Sequence, residues 1–209
     1  MKASEYWKIQ HQKYSNQDWI LKPSIFAKQI INLLSKKGNL IDLGAGQGQD
    51  SRFFADHNFQ VTSTDFTVDA LDISKSKSKN QNINFQIVDL SKKLPFDDSS
   101  FDIVYSHLAL HYFDNKTTQK LFSEIYRILK KDGIFATLVN TINDSEVTES
   151  EKIEKEYFFS PVGIKKRFFS LSSFHQLIEN RYKIIILDEN GKTYKDDIEN
   201  LIRFIGKKL

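Results

Sequence analysis

Apolar residues in this chain come in short runs, separated by longer stretches in which they recur every three or four positions. The runs are rich in β-branched and aromatic side chains and predict strands over 39–43, 59–64, 83–88, 101–106 and 134–139. Between them lie helical spacings. Phe26, Ile30, Leu33 and Leu34 share one stripe, opened by Pro23 and closed by Gly38. A segment through Asp56 ends where Asn58 takes the left-handed position, and Val68, Leu71 and Ile73 follow a capping Thr67. Leu121, Phe122, Ile125, Ile128 and Leu129 mark a helix over 115–131, ended by Gly133. Strands alternating with helices of this length imply a parallel sheet wound by right-handed crossovers. Further on, Phe174, Leu177 and Ile178 suggest a short helix, 182–187 a strand, Asn190-Gly191 a turn and 201–206 a last, antiparallel strand. Two stretches break the rhythm, 1–22 and 141–170, and both are rich in large aromatics.

The first strand ends in Leu43-Gly44-Ala45-Gly46-Gln47-Gly48-Gln49, a G-x-G-x-G turn running into a helix. Glycines there let backbone approach a ligand at the C-terminal edge of the sheet. A dinucleotide fingerprint, G-x-G-x-x-G, needs glycine at 49 and finds Gln49. Asp42, Asp65 and Asp89 each stand at or near the end of a predicted strand. Such a row of carboxylates suits a ligand with positive charge and ribose hydroxyls, and suits a pyrophosphate poorly. S-adenosylmethionine, with its sulfonium, ammonium and ribose, meets that description.

Five segments in register, LIDLGAGQGQD at 40–50, VTSTDFT at 61–67, IVDLSKKLPF at 87–96, FDIVYSHLALHYF at 101–113 and ILKKDGIFATLVN at 128–140, resemble the class I S-adenosylmethionine-dependent methyltransferases. The resemblance covers about residues 25–140. It implies a doubly wound α/β fold with a seven-stranded, mostly parallel sheet of order 3-2-1-4-5-7-6, strand 7 antiparallel, and helices on both faces. It implies S-adenosylmethionine as cofactor and S-adenosylhomocysteine as product. By the same resemblance Asp42, Gly44, Ala45, Gly46 and Gly48 hold the methionine part, Asp65 the ribose, Phe66, Asp89 and Leu90 the adenine, and Ser106 and His107 line the cofactor. His111 is the candidate catalytic group. A histidine there suits a general base, because its charge changes near neutral pH; a structural or cofactor-lining role suits either histidine as well.

Composition narrows the rest. At 209 residues the chain reads as one domain: 1–22 an N-terminal cap, 23–140 the cofactor-binding core, 141–170 a cap insertion and 171–209 the C-terminal end of the sheet. No apolar run approaches the roughly 18 residues that span a membrane, and the first ten residues have no signal-peptide core, so a cytoplasmic location is expected. With no cysteine there is neither a disulfide framework nor a thiolate nucleophile. The 30 basic residues are nearly matched by 27 acidic ones and scattered, giving +3 overall. The cluster Lys75–Lys79 therefore reads as a solvated helix end rather than a nucleic-acid footprint. His107 and His111 stand four apart without the acids of a metal site, so no metal is expected.

The expected activity is methyl transfer to a small-molecule acceptor by direct in-line displacement, with no nucleic-acid or membrane partner. Competing readings are a cofactor-binding module without catalysis and an RNA methyltransferase; an NAD-dependent oxidoreductase is disfavoured by Gln49. Tyr14 and Trp19 from the first stretch, with Tyr157 and Phe168 from the second, are expected to cap an apolar acceptor pocket.

Overall fold

The structure, a computed structural model, describes residues 3–34, 37–79, 82–194 and 200–209. Its main sheet has seven strands: β1 (Asn39–Leu43), β2 (Gln60–Asp65), β3 (Ile83–Ile87), β4 (Phe101–His107), β5 (Leu129–Asn140), β9 (Tyr182–Asp188) and β10 (Leu201–Lys208). The order is β3-β2-β1-β4-β5-β10-β9, and β10 alone runs antiparallel to its neighbours. Renumbered by chain position, this is the expected order. Helices α1 (Ala3–Tyr14), α2 (Ile25–Ile30), α3 (Gln49–Asp56), α4 (Val68–Lys77), α5 (Asn115–Ile128), α6 (Glu146–Glu149) and α7 (Leu171–Ile178) complete the main elements. No helix among the described residues is long and apolar enough to cross a membrane.

Side chains alternate across each strand, so the central strands feed two cores. Leu40 packs with Phe26, Ile30 and Phe54 on the α2–α3 face, while Ile41 and Leu43 pack with Leu121, Ile125 and Phe174 on the α5–α7 face. Each such buried side chain contributes about 1.5–3 kcal/mol. Together they hold the C-terminal edge of β1, β2, β4 and β5 as a rigid rim.

Strand ends shift by a few residues from the sequence expectation, and three helix ends depart from it in position or in bonding. Pro23 stands outside its helix: Ser24 is the N-cap, accepting from Ala27 N at 3.0 Å, and α2 passes at Ile31 into a 3-10 turn. Residues 35–36 of the expected helix lie outside the described residues. Helix α5 stops at Ile128, three residues early, and β5 starts at Leu129. There Lys208 Nζ donates to the carbonyls of Tyr126 and Leu129, 2.6 Å each, taking the acceptors that a further turn would use. Thr67 occupies the cap position of α4, but its hydroxyl donates to Asp65 Oδ1 at 2.8 Å. The stretch 141–170 contains α6 and a small antiparallel sheet of β6 (Glu151–Glu154), β7 (Tyr157–Phe159) and β8 (Lys165–Arg167).

A cofactor cleft at the carboxyl edge of the sheet

Beyond the strand ends lies a cavity of about 540 Å³, within the usual range for small-molecule sites. Its floor is the glycine turn. Gly44 and Gly46 have φ of +71° and +55°, a region side chains rarely adopt. A Cβ on Gly44 would sit 2.3 Å from Ala109 Cβ. The turn and the segment after β4 therefore touch backbone to side chain, with no room for a larger residue.

One wall comes from β2 and β3. Asp65 is 5% exposed; its Oδ2 accepts from Gly46 N at 3.1 Å and its Oδ1 from Thr67 N at 2.9 Å. The carboxylate thus braces the turn and lines the cavity. Half-exposed Phe66 stands next to it. Asp89 accepts from Ser91 N and Oγ. Against the upward push of partial burial, those bonds and the charge of Lys92 hold it below the usual carboxylate range.

The opposite wall comes from β4, β5 and α1. His111 is buried and His107 partly so, and burial lowers both imidazoles, His111 to about 3 with help from the charge of Lys166. Both are neutral at pH 7. Helix α1 sends Ala3, Trp7, His11 and Tyr14 into the cavity from one face, and Trp19 follows. Burial lowers His11 as well, against the charges of Asp65 and Asp69. The helix is tied to the turn itself: Gln47 Nε2 donates to the His11 carbonyl at 2.7 Å. Tyr194 arrives from the β9–β10 connection, where its hydroxyl accepts from Gln49 Nε2 at 2.7 Å.

Of the residues singled out in the sequence, Gly44, Ala45, Gly46, Asp65, Phe66, Asp89, Leu90, His107, His111, Tyr14 and Trp19 line this cavity. Five others do not. Asp42 is enclosed behind the turn, accepting from Ser51 Oγ at 2.6 Å; burial, then the nearby Asp50, push its carboxyl up to about 8. Gly48 is the left-handed N-cap of α3, closed off by Ser74. Ser106 donates to the Leu43 carbonyl at 2.8 Å and joins β4 to β1. Tyr157 and Phe168 are core residues: the Arg167 guanidinium covers the Tyr157 ring, and Phe168 packs edge-on to Phe158. The second expected half of the cap therefore turns inward, and Lys166 is its contribution to the cavity lining. Trp7, one of the large aromatics of the first stretch, lines the cavity too, and His11, Gln47, Gln49, Tyr112, Asn140 and Tyr194 join it without having been singled out in the sequence as site residues. Ala3, Trp7, His11 and Tyr14 do carry a signal, since their 4-4-3 spacing is one face of a helix.

Residues 41–137 match the family described as Methyltransferase domain. Among curated proteins, a demethylmenaquinone methyltransferase of Leptospira interrogans is 32% identical over 120 residues, covering 53% of this chain and 46% of the relative. The chain spans about half the length of such relatives. Among solved structures, an S-adenosylmethionine-dependent methyltransferase from Methanosarcina mazei superposes with a TM-score of 0.73 at 21% identity, covering 87% of this chain and 97% of that one. The Burkholderia thailandensis 1,6-didemethyltoxoflavin-N1-methyltransferase, solved with 1,6-didemethyltoxoflavin and S-adenosylhomocysteine, gives 0.72 at 14% identity, covering 98% and 84%. The match to the methyltransferase domain thus takes in a little under half of the chain, and the whole fold is that of the solved S-adenosylmethionine-dependent methyltransferases.

The cofactor of those solved neighbours is S-adenosylmethionine, and the residues present here fit it. The side-chain oxygens of Gln47 and Gln49 are buried at the turn without a hydrogen-bond partner, which suits the N–H donors of an ammonium. Asp65 offers carboxylate oxygens where ribose hydroxyls need acceptors, and Phe66 and Leu90 offer flat apolar surface. Lys166, the lysine of the lining, is held by both Glu146 oxygens at 2.8 Å. Nothing there calls for a phosphate.

Proposed function

We propose that this protein transfers a methyl group from S-adenosylmethionine to a small-molecule acceptor, by in-line displacement within this cavity. One observation carries the reading: a single cleft joins a carboxylate-and-glycine wall suited to the cofactor to a wall lined by aromatic side chains. When bound, S-adenosylmethionine supplies an activated methyl on a sulfonium whose departure leaves a neutral thioether. The chain's own residues then have three tasks. The glycine turn and Asp65 fix one reactant. Trp7, Tyr14, Trp19 and Tyr112 exclude water and confine the other, and such orientation is worth roughly 7–11 kcal/mol in favourable cases. Neutral His11, His107 and His111 add no positive charge beside a sulfonium. The Burkholderia protein, with a small acceptor beside the cofactor product, supports the same arrangement here.

Calorimetry with S-adenosylhomocysteine and with NAD tests the cofactor, and incubation with methyl-labelled S-adenosylmethionine and a metabolite extract tests the transfer. Binding of the first alone, with label appearing in a small molecule, is the expected result. Binding of NAD instead refutes the reading, and tight cofactor binding with no labelled product favours a module without turnover.

A further inference from the structure

The cavity has two sides that the sheet order separates. Asp65 ends β2 and Asn140 ends β5, with β1 and β4 between them. At strand spacings near 4.8 Å, the two ends stand about 14 Å apart. The glycine turn, Asp65 and Asp89 belong to the first side. Over β4 and β5 lie His107, His111, Tyr112, Asn140 and Lys166, with Trp7 above: its ring meets Tyr112 edge-on at 5.6 Å.

This second side carries no spare charge among the described residues. Lys166 Nζ is held by both oxygens of Glu146 at 2.8 Å, and their side chains are 14% and 24% exposed. An anionic acceptor would have to break that pair. A cationic one would face Lys166 with no unpaired carboxylate to meet it, and burying an unpaired charge is costly. Unmet hydrogen-bonding capacity, by contrast, is present. His107 Nε2 and His111 Nδ1 are buried without a partner, and both side chains belong to the cavity lining. A buried polar atom without a partner is an exception that asks for a ligand or water. The side chains packed against the two rings are themselves aromatic: Tyr194 packs edge-on to His107 at 5.4 Å and Tyr112 lies 4.4 Å from His111, so a ring fits among them.

We propose, resting on the methyl-transfer reading, that His107 and His111 select a neutral, flat, ring-containing acceptor by hydrogen bonds to its hydroxyl or ring N–H. A wholly apolar molecule of the same shape leaves both ring nitrogens unsatisfied, and a charged one opens the Lys166–Glu146 pair.

A matched set of bicyclic probes tests this against protein saturated with S-adenosylhomocysteine: 2-naphthol, naphthalene, 2-naphthoate and 2-naphthylmethylammonium. Calorimetry should show 2-naphthol binding at least about tenfold more tightly than the other three, the equivalent of one well-placed hydrogen bond. His111→Phe keeps a ring of similar size and removes the nitrogens; it should bring 2-naphthol to the level of naphthalene. His111→Asn, which restores a polar atom near the Nδ1 position, should recover part of the preference and serves as a second variant should the phenylalanine form melt early. The proposal is overturned if either charged probe equals or exceeds 2-naphthol, if none of the four binds, or if His111→Phe leaves the preference intact. Titration with S-adenosylhomocysteine alone separates the two levels: wild type that fails to take it refutes the methyl-transfer reading, whereas cofactor binding with no probe preference refutes only the acceptor class.

Discussion

Gly44→Ala is the sharpest probe of how the glycine turn is built. The added Cβ would lie 2.3 Å from Ala109 Cβ, while the next atoms, Ala109 Cα and Leu90 Cδ1, are 3.7 and 3.9 Å away. Nearly all the steric conflict is thus with one methyl group. The φ of +71° adds strain of about 1–2 kcal/mol for any L side chain, and the clash about 1–3 kcal/mol more. Gly44→Ala alone should then cost about 2–5 kcal/mol. Ala109→Gly alone should cost about 0.4–1 kcal/mol through the freer unfolded chain. In the double variant the clash vanishes and the strain remains, so the two effects should fall short of additivity by about 1–3 kcal/mol. Urea denaturation of the four proteins gives that coupling directly. Additivity within about 0.5 kcal/mol would show that the turn and the segment after β4 are not in contact, and would undo the description of the cavity floor.

Asp65→Asn should weaken S-adenosylhomocysteine binding by about 10- to 150-fold in calorimetry, through loss of charge-assisted bonds worth about 1.5–3 kcal/mol; Asp65→Ala should also melt lower, since Gly46 N and Thr67 N lose their acceptor. A loss under threefold in Asp65→Asn would remove this carboxylate from the cofactor site. Asp42 titrates near 8 in the fold against about 3.9 unfolded, so the stability of its protonated form is complete below about pH 4 and is lost as pH rises through 8. Asp42→Asn carries no such penalty, and its unfolding free energy by urea denaturation should gain on wild type between pH 5 and 8 by about 1.4 kcal/mol per pH unit; a pH-independent difference would mean that Asp42 is ionised throughout.

The parts of this molecule legible in its sequence are those where local pattern and position coincide. The nearly unbroken apolar runs Leu40–Leu43 and Phe101–Tyr105 report strands buried on both faces, and the glycine spacing reports where β1 must turn under a ligand. Asp65 stands at the rim because it ends β2, directly after the β-branched Thr64. Errors arose where an aromatic had two possible partners. Tyr157 and Phe168 have the composition of a pocket wall, yet the small sheet β6–β8 turns them into the core. Nothing local distinguishes the two outcomes, because both bury a ring. The end of α5 was missed for a similar reason: Lys208, eighty residues away in the chain, takes its last carbonyls.

Tyr194 is the clearest case of a site residue delivered from a distance, and the hydrogen bonds that deliver it can be traced. Asp50, in the first turn of α3, accepts from Ser24 N at 2.7 Å, Ser24 Oγ at 2.8 Å and Tyr105 Oη at 2.6 Å. Ser24 caps α2, and the next residue, Ile25, donates its N–H to the Thr193 carbonyl at 2.6 Å. Tyr194 follows and returns to α3 by accepting from Gln49. The connection after β9 is therefore held at two points, at the start of α2 through Thr193 and at the start of α3 through Tyr194. Ser24→Ala keeps the backbone bonds but removes the cap and the hydroxyl bond to Asp50. The cap is worth about 1 kcal/mol, and a bond to a charged group about 1.5–3 kcal/mol, so a loss of roughly 2–4 kcal/mol is expected by urea denaturation. The same change should loosen Tyr194 against Trp19, whose rings lie 4.8 Å apart, and shift the tryptophan emission of the folded protein. Reduced stability with emission unchanged, in a variant that also binds S-adenosylhomocysteine as wild type does, would mean that Ser24 caps its helix and nothing more, and that Tyr194 is held by Gln49 alone.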